Sequence, residues 1–139
     1  MLILMQGASG SGKSTIAAFL TSHLHRIGVP VEICSADSYM CDEDENGRTE
    51  YHFDPKRLPE CHAICREMVE FLLQDTKNAV IVDNTNTTKS EVQPYLDMAK
   101  KYGHKVQVVR VDSYDFDDIH GVPDETKRRQ RLRMQNLLD

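Results

Sequence analysis

The chain carries the segment Gly7-Ala8-Ser9-Gly10-Ser11-Gly12-Lys13-Ser14 close to its N-terminus. This segment matches G-x-x-x-x-G-K-[ST], the pattern of a phosphate-binding loop, or P-loop. Glycines let the main chain turn where a side chain would block it, and they let its N–H groups approach an anion closely. Those groups form a concave nest at the start of a helix, where the helix dipole also favours negative charge. We therefore predict a P-loop that binds a nucleoside triphosphate, ATP or another.

Two side chains of the P-loop have specific predicted contacts. Lys13 places a positive charge on the outer phosphates, and the Ser14 hydroxyl is placed to ligate Mg²⁺. The predicted nucleotide-binding residues are Ser9, Gly10, Ser11, Gly12, Lys13, Ser14 and Thr15. A dinucleotide-binding loop is disfavoured because Thr15 stands where that pattern needs its third glycine. A glycine-rich turn without a ligand is the remaining alternative.

Composition limits the class of protein. The 139 residues are enough for one domain with one modest core. Seventeen basic residues against 22 acidic ones give a net charge of -5, which argues against broad non-specific nucleic-acid binding but leaves room for a local basic patch. No apolar run approaches the length of a membrane span, and the N-terminus lacks a signal-peptide pattern. We expect no membrane partner, a cytoplasmic location and cysteines that are thiols.

Strands and helices alternate along the sequence. Apolar runs predict four strands, at residues 2–6, 31–35, 79–82 and 105–111. Helical spacing predicts helices that begin near residues 13, 54, 88 and 124. Asp54 is the predicted cap of the second helix, whose buried stripe is expected to include Met68, and Thr88 and Glu91 fit a capping box for the third. This order predicts an α/β fold, a single-domain P-loop NTPase with a three-layer sandwich around a parallel sheet of about four strands. The domain is expected to span residues 1–139, with a lid-like loop and a basic C-terminal helix at 112–139. Residues 42–47 are expected to form a solvated acidic loop that contains a turn.

Ligands of open parallel sheets bind beyond the carboxyl ends of the strands, so polar residues at those ends are the candidate site. Asp37 follows the second strand and is the predicted general base, which would accept a proton from an attacking hydroxyl or orient it. The alternative is a cap for the turn that follows it. Asp83 follows the third strand and is expected near Mg²⁺ or the acceptor. Direct metal ligation, a contact through water and a structural hydrogen bond remain open for it.

Other candidates are less specific. Asn84, Thr85 and Asn86 are predicted to hydrogen-bond the acceptor, with an Asx turn as an equal alternative. In the basic run at 127–133, Arg128 or a neighbour is predicted to reach the phosphates as lid arginines do. A solvated helix face and contact with a nucleic-acid backbone are the alternatives. The cysteines near His62 fit an apolar helix stripe better than a metal site.

Four further segments accompany the P-loop: Ser35-Ala36-Asp37-Ser38-Tyr39, Tyr51-His52-Phe53-Asp54-Pro55, Asp83-Asn84-Thr85-Asn86 and His120-Gly121-Val122-Pro123. Together they resemble one branch of P-loop kinases, which includes the kinase domain of phage polynucleotide kinase and the NEDD4-binding-protein-2-like ATPases. The resemblance spans nearly the whole chain. It implies that Asp37 matches the base that activates a polynucleotide 5′-hydroxyl. It also implies that Lys13 and Ser14 make the phosphate and Mg²⁺ contacts, and that Asp83 is an active-site carboxylate.

The chain departs from this branch on the acceptor side. The phage pattern has an arginine three residues after the base, where this chain has Met40. The phage pattern also has a long, arginine-bearing lid before the segment that matches Gly121-Val122-Pro123, whereas the corresponding segment of this chain is short and acidic. Arg48, Arg57 and the terminal arginines are the candidates to compensate. We predict an ATP- and Mg²⁺-dependent kinase that transfers the γ-phosphoryl group to a hydroxyl. The leading candidate for the acceptor is a polynucleotide 5′-OH, at a nucleic-acid end. A nucleoside, nucleotide or sugar kinase and an ATP-binding module with an interaction role are the alternatives.

Overall fold

The computed structural model describes residues 1–112 and 122–138. Six strands lie in this part of the chain: β1 (Leu2–Gln6), β2 (Val31–Cys34), β3 (Cys41–Glu43), β4 (Thr49–Tyr51), β5 (Ala79–Val82) and β6 (Val106–Arg110). The helices are α1 (Lys13–Arg26), α2 (Leu58–Leu73), α3 (Lys89–Lys101) and α4 (Asp124–Leu138). The acidic part of the predicted lid, with Asp115, Asp117 and Asp118, lies outside the described residues, as do His120 and Gly121.

A four-stranded parallel sheet forms the centre, in the order β2-β5-β1-β6. The two inner strands are buried along almost their whole length. Strands covered on both faces need continuous apolar runs, and both inner strands have them. The prediction of a parallel sheet of four strands is confirmed.

Helices cover both faces of the sheet and give the predicted three layers. On one face, α1 packs in a core that includes Ile3, Met5, Ala17 and Ile81. On the other face, α2 and α3 pack in a core that includes Leu4, Val82, Cys65 and Tyr95. Within residues 1–112 and 122–138, no helix is long and apolar enough to cross a membrane.

The buried face of α2 differs from the face that the sequence pattern favours. Apolar residues at mixed steps of three and four predict that Met68 points inward, but it is 42% exposed. The buried line runs instead through Cys61, Cys65, Val69 and Leu73, at steps of four. Apolar residues flank this line on both sides, so packing against the sheet and α3 decides the rotation of the helix.

Residues 42–47 are not a simple loop. Strands β3 and β4 pair antiparallel around them, with Cys41 opposite Tyr51. The predicted turn is present, since the Asp44 carboxylate accepts the N–H groups of Asn46 and Arg48. The flanking strands escape prediction because each has only three residues and most of them are charged or polar.

Both predicted helix caps are present, in slightly different places. Thr88 and Glu91 form the predicted capping box at the start of α3. Asp54 accepts the Lys56 N–H, but it caps a short 3₁₀ turn at Pro55–Arg57, and α2 begins only at Leu58. The capping box fixes the chain that leaves β5, next to the carboxyl ends of the strands.

Candidate active site

The P-loop runs from β1 into α1 along a path that only glycine allows at two points. Gly12 occupies the cap position of α1 with φ 97°, in the left-handed region that side chains disfavour. Gly7 has no room for a side chain, since a Cβ there would lie 2.6 Å from Ser11 Oγ and 2.8 Å from the main-chain oxygen of Val111. The glycines of the motif therefore set the shape of the loop.

Two predicted nucleotide-binding side chains point into the loop in this structure. Lys13 is buried, and its ammonium donates to the Ala8 carbonyl oxygen at 2.9 Å. The Ser11 hydroxyl is also buried, and it has no hydrogen-bond partner among the described residues. The Ser11 N–H donates to Ala8 as well, so the loop is closed on itself.

Ser14 and Asp83, the two predicted metal ligands, lie in direct contact. The Ser14 hydroxyl donates to Asp83 Oδ2 at 2.7 Å, which joins the first turn of α1 to the end of β5. A hydroxyl and a carboxylate are both oxygen donors, the ligand type that Mg²⁺ prefers. The two side chains therefore fit a Mg²⁺ site at the mouth of the P-loop.

Asp37 lies in a 3₁₀ turn, Ala36–Tyr39, directly after β2. The cap position of this turn is Ser35, so the alternative of Asp37 as the cap does not describe the structure. Asp37 is half-buried and lines a cleft of about 230 Å³. Ser9 of the P-loop lines the same cleft, which brings the predicted base and the predicted phosphate site together.

Helix α4 closes one side of this cleft. The side chains that line it are Thr126, Arg129, Gln130 and Arg133. Steps of three and four put these residues on one helix face. The Gln130 side-chain oxygen accepts the Ser9 N–H at 3.0 Å and so attaches α4 to the P-loop.

The prediction names Arg128 or a neighbour as the lid arginine, and two neighbours of Arg128 lie at the cleft. Arg128 is exposed and does not line the cleft, whereas Arg129 and Arg133 do. The helical spacing of the basic run shows which of its residues share a face: residues 129 and 133 lie on the same face as residue 126, and residue 128 does not. The rotation of α4 on the domain is what selects that face.

Two predicted acceptor contacts lie elsewhere. Asn84 and Thr85 line the cleft, but Asn86 is 1% exposed and its amide donates to the Met5 carbonyl oxygen at 2.7 Å. Asn86 therefore joins β1 to the segment after β5. Arg48 lies in the turn between β3 and β4, and it does not line the cleft.

Met40, which stands where the phage pattern has an arginine, points into the core. Met40 is fully buried in the core with residues of α2, and it does not line the cleft. Arg57 is held by the hairpin and the turn, since it donates to the Asp42 carboxylate and the Tyr39 carbonyl oxygen. Among the candidates to compensate, only the arginines of α4 line the cleft.

His62, which sequence reasoning does not assign to the substrate site, lines the cleft together with Phe53. Burial lowers the pKa of His62, and the carboxylates of Glu91 and Asp37 oppose that effect. Burial also raises the pKa of the neighbouring Cys65 thiol. The described residues contain no group of three or more metal-ligating side chains of the His, Cys, Asp and Glu types.

Residues 2–136 match the model of a protein family described as AAA domain. The chain belongs to the AAA domain family. It is similar to NEDD4-binding protein 2 of Homo sapiens, with 32% identity over 99% of this chain and 8% of the human protein. It is also similar to 6-phosphofructo-2-kinase/fructose-2,6-bisphosphatase 1 of Mus musculus, with 26% identity over 85% of this chain and 26% of the mouse protein. The chain spans a minor part of the length of both relatives.

Solved structures show the same fold as this AAA domain. Chaetomium thermophilum Kti12 in complex with ADP-AlF3 has a TM-score of 0.69 and 21% identity, over 96% of this chain and 79% of Kti12. A chain of the Pnkp1/Rnl/Hen1 RNA repair complex has a TM-score of 0.69 and 16% identity, over 97% of this chain and 44% of that chain. The P-loop kinase fold that the sequence resemblance implies is confirmed.

Gly7→Ala should distort the P-loop, because the added Cβ would collide with the main-chain oxygen of Val111. We expect a loss of about 1–3 kcal/mol in the free energy of unfolding, as overpacking typically gives, together with loss of ATP affinity. Urea denaturation and ATP titration measure the two effects.

Gly28→Ala is the matched control for this variant. Gly28 has φ +80° and no atom within 4 Å of its Cβ position, so alanine there costs about 1–2 kcal/mol through backbone strain alone. It should leave ATP affinity unchanged. A Gly7→Ala protein with normal ATP affinity would contradict the constraint assigned to Gly7.

Proposed function

We propose that this AAA domain is an ATP- and Mg²⁺-dependent kinase that transfers the γ-phosphoryl group to a hydroxyl, first of all to the 5′-OH of a polynucleotide. One observation carries the proposal. Asp37 and the P-loop residue Ser9 line the same cleft, with arginines of α4 on its wall. A nucleotide-binding loop alone fits any NTPase, but a carboxylate beside it fits a hydroxyl acceptor.

The donor half of the site consists of Lys13, Ser14 and Asp83. In the proposed complex Lys13 exchanges its contact with Ala8 for the outer phosphates and offsets their charge. Ser14 and Asp83 would hold Mg²⁺, which when bound neutralises charge on the phosphates. The P-loop N–H groups and the start of α1 keep the nucleotide in one orientation.

The acceptor half centres on Asp37. Its carboxylate would accept the proton of the attacking hydroxyl as that oxygen bonds to the γ-phosphorus and the bond to the ADP oxygen breaks. The products are ADP and a phosphate ester, with the proton on Asp37. Because Asp37 and Ser9 share one cleft, this transfer needs no change in the fold.

Arg129 and Arg133 support a phosphate-bearing acceptor such as a nucleic-acid end. They lie one helical turn apart on the wall of the cleft, where guanidinium groups are suited to phosphate oxygens. The ring of Phe53 lines the same cleft and offers a face for a base. The local positive charge contrasts with the chain's net charge of -5.

A small-molecule kinase is the second candidate, and Met40 favours it. The residue that matches the phage enzyme's substrate-binding arginine is a buried methionine here. The cleft, at about 230 Å³, is small, which suits a compact acceptor. The similarity to 6-phosphofructo-2-kinase/fructose-2,6-bisphosphatase 1 supports the same class.

An acceptor panel with γ-labelled ATP tests the proposal. The acceptors are 5′-OH DNA, 5′-OH RNA, nucleosides, a sugar phosphate and simple alcohols. Label on an oligonucleotide end is the expected result. Label on small molecules only would support the second candidate, and release of phosphate with no labelled acceptor would overturn both.

Asp37→Asn should lower kcat for transfer by about a hundredfold or more, because a positioned base contributes that much. The affinity for ATP should stay nearly unchanged, since Asp37 lies on the acceptor side. The exposed Asp97 of α3 provides the control Asp97→Asn, which should leave kcat unchanged. A fully active Asp37→Asn enzyme would remove Asp37 from the mechanism.

Arg129→Gln and Arg133→Gln should each raise KM for a phosphate-bearing acceptor by about tenfold, the effect of losing one charge-assisted hydrogen bond. The KM for an uncharged acceptor should change little. Arg128→Gln removes the same charge from the exposed face of the same helix and is the matched control. Equal losses in all three variants would mean that net charge matters and the cleft does not.

A further inference from the structure

Asn84 is a buried polar residue at the end of β5, with 7% of its surface exposed. Its Oδ1 accepts the main-chain N–H of Ala36 at 2.8 Å. Its Nδ2 faces Tyr95 Oη at 3.4 Å and Cys65 Sγ at 3.6 Å. Since an N–H can only donate, the atom that faces Ala36 must be the amide oxygen, and the orientation of the side chain follows.

The contact with Ala36 acts directly on the turn that carries Asp37. Ala36 is the first residue of this turn and immediately precedes Asp37. The turn's own cap residue, Ser35, makes no side-chain hydrogen bond to it. From the segment after β5, Asn84 therefore satisfies a main-chain N–H group at the start of the turn, which the turn itself leaves without a partner.

The residues on both sides of Asn84 hold the P-loop. Asp83 accepts the Ser14 hydroxyl at 2.7 Å, and the Thr85 carbonyl oxygen accepts the Gly7 N–H at 3.1 Å. Three consecutive residues thus connect the start of α1, the turn of Asp37 and the start of the P-loop. A shift of Asn84 would change the distance between the base and the phosphate site.

We propose that Asn84 is a positioning residue, which holds Asp37 at the distance from the P-loop that phosphoryl transfer needs. The inference rests on the proposed function and deepens it. Asn84 also lines the cleft, but both ends of its amide face protein groups, so it acts through the main chain of Ala36. Displacement of a reacting group by about 1 Å lowers rates by up to a hundredfold, so one anchoring contact has a measurable effect.

A double-mutant cycle separates this role from simple stabilisation. Asn84→Ala in the wild-type background should lower kcat by about ten- to a hundredfold, with KM for ATP nearly unchanged. In the Asp37→Asn background the same change should lower kcat by less than about threefold, because the group it positions is already lost. If alanine prevents folding, Asn84→Ser takes its place in both backgrounds.

Asn78→Ala is the matched control. Asn78 precedes β5 at the opposite end from the cleft, and its amide donates to the Leu72 carbonyl oxygen at 3.0 Å. The control loses a comparable hydrogen bond and should keep kcat within about twofold of wild type.

Equal fold-losses of kcat in the two Asp37 backgrounds would overturn the inference and leave the proposed function intact. A loss in Asn78→Ala as large as that in Asn84→Ala would do the same. A wild-type protein that labels no acceptor would overturn the proposed function, and the inference would fail with it.

Discussion

The hydrogen bond between Ser14 and Asp83 joins the helix that begins at the P-loop to the strand beside β1. The rest of the site depends on this contact and on its two neighbours along the chain. Asn84 holds the turn of Asp37, and Thr85 holds the main chain of Gly7. The parallel sheet makes this arrangement possible, because the carboxyl ends of β1, β2 and β5 lie side by side at one edge.

Two groups of positively charged or N–H-donating residues lie at this edge of the sheet, and each is suited to a different anion. The P-loop and Lys13 are suited to the charge of a nucleotide, and the arginines on the cleft face of α4 are suited to an anionic acceptor. Asp37 lines the cleft that both of them border, and in the proposed mechanism it accepts the proton of the hydroxyl as the new bond forms. The contact of Gln130 with Ser9 brings the two halves together, since it holds α4 against the loop.

Features that depend on neighbouring residues in the chain were predictable from the sequence. The P-loop, the capping box of α3 and the alternation of strands and helices are of this kind, since glycines, caps and apolar runs act locally. Features that depend on packing were not. The rotation of α2 exposes Met68, and the rotation of α4 presents Arg129 to the cleft instead of Arg128. Asn86 has the polarity of a substrate ligand, but only the fold shows that Met5 accepts its amide.

The central claim is that Asp37 accepts the proton of a hydroxyl held next to the P-loop. The most direct measurement is a crystal structure with a non-hydrolysable ATP analogue, Mg²⁺ and an acceptor identified by labelling. We expect the phosphates in the P-loop and the acceptor hydroxyl oxygen within about 2.6–3.2 Å of the Asp37 carboxylate. A bound acceptor whose hydroxyl lies beyond the reach of Asp37, even through one water, would contradict it.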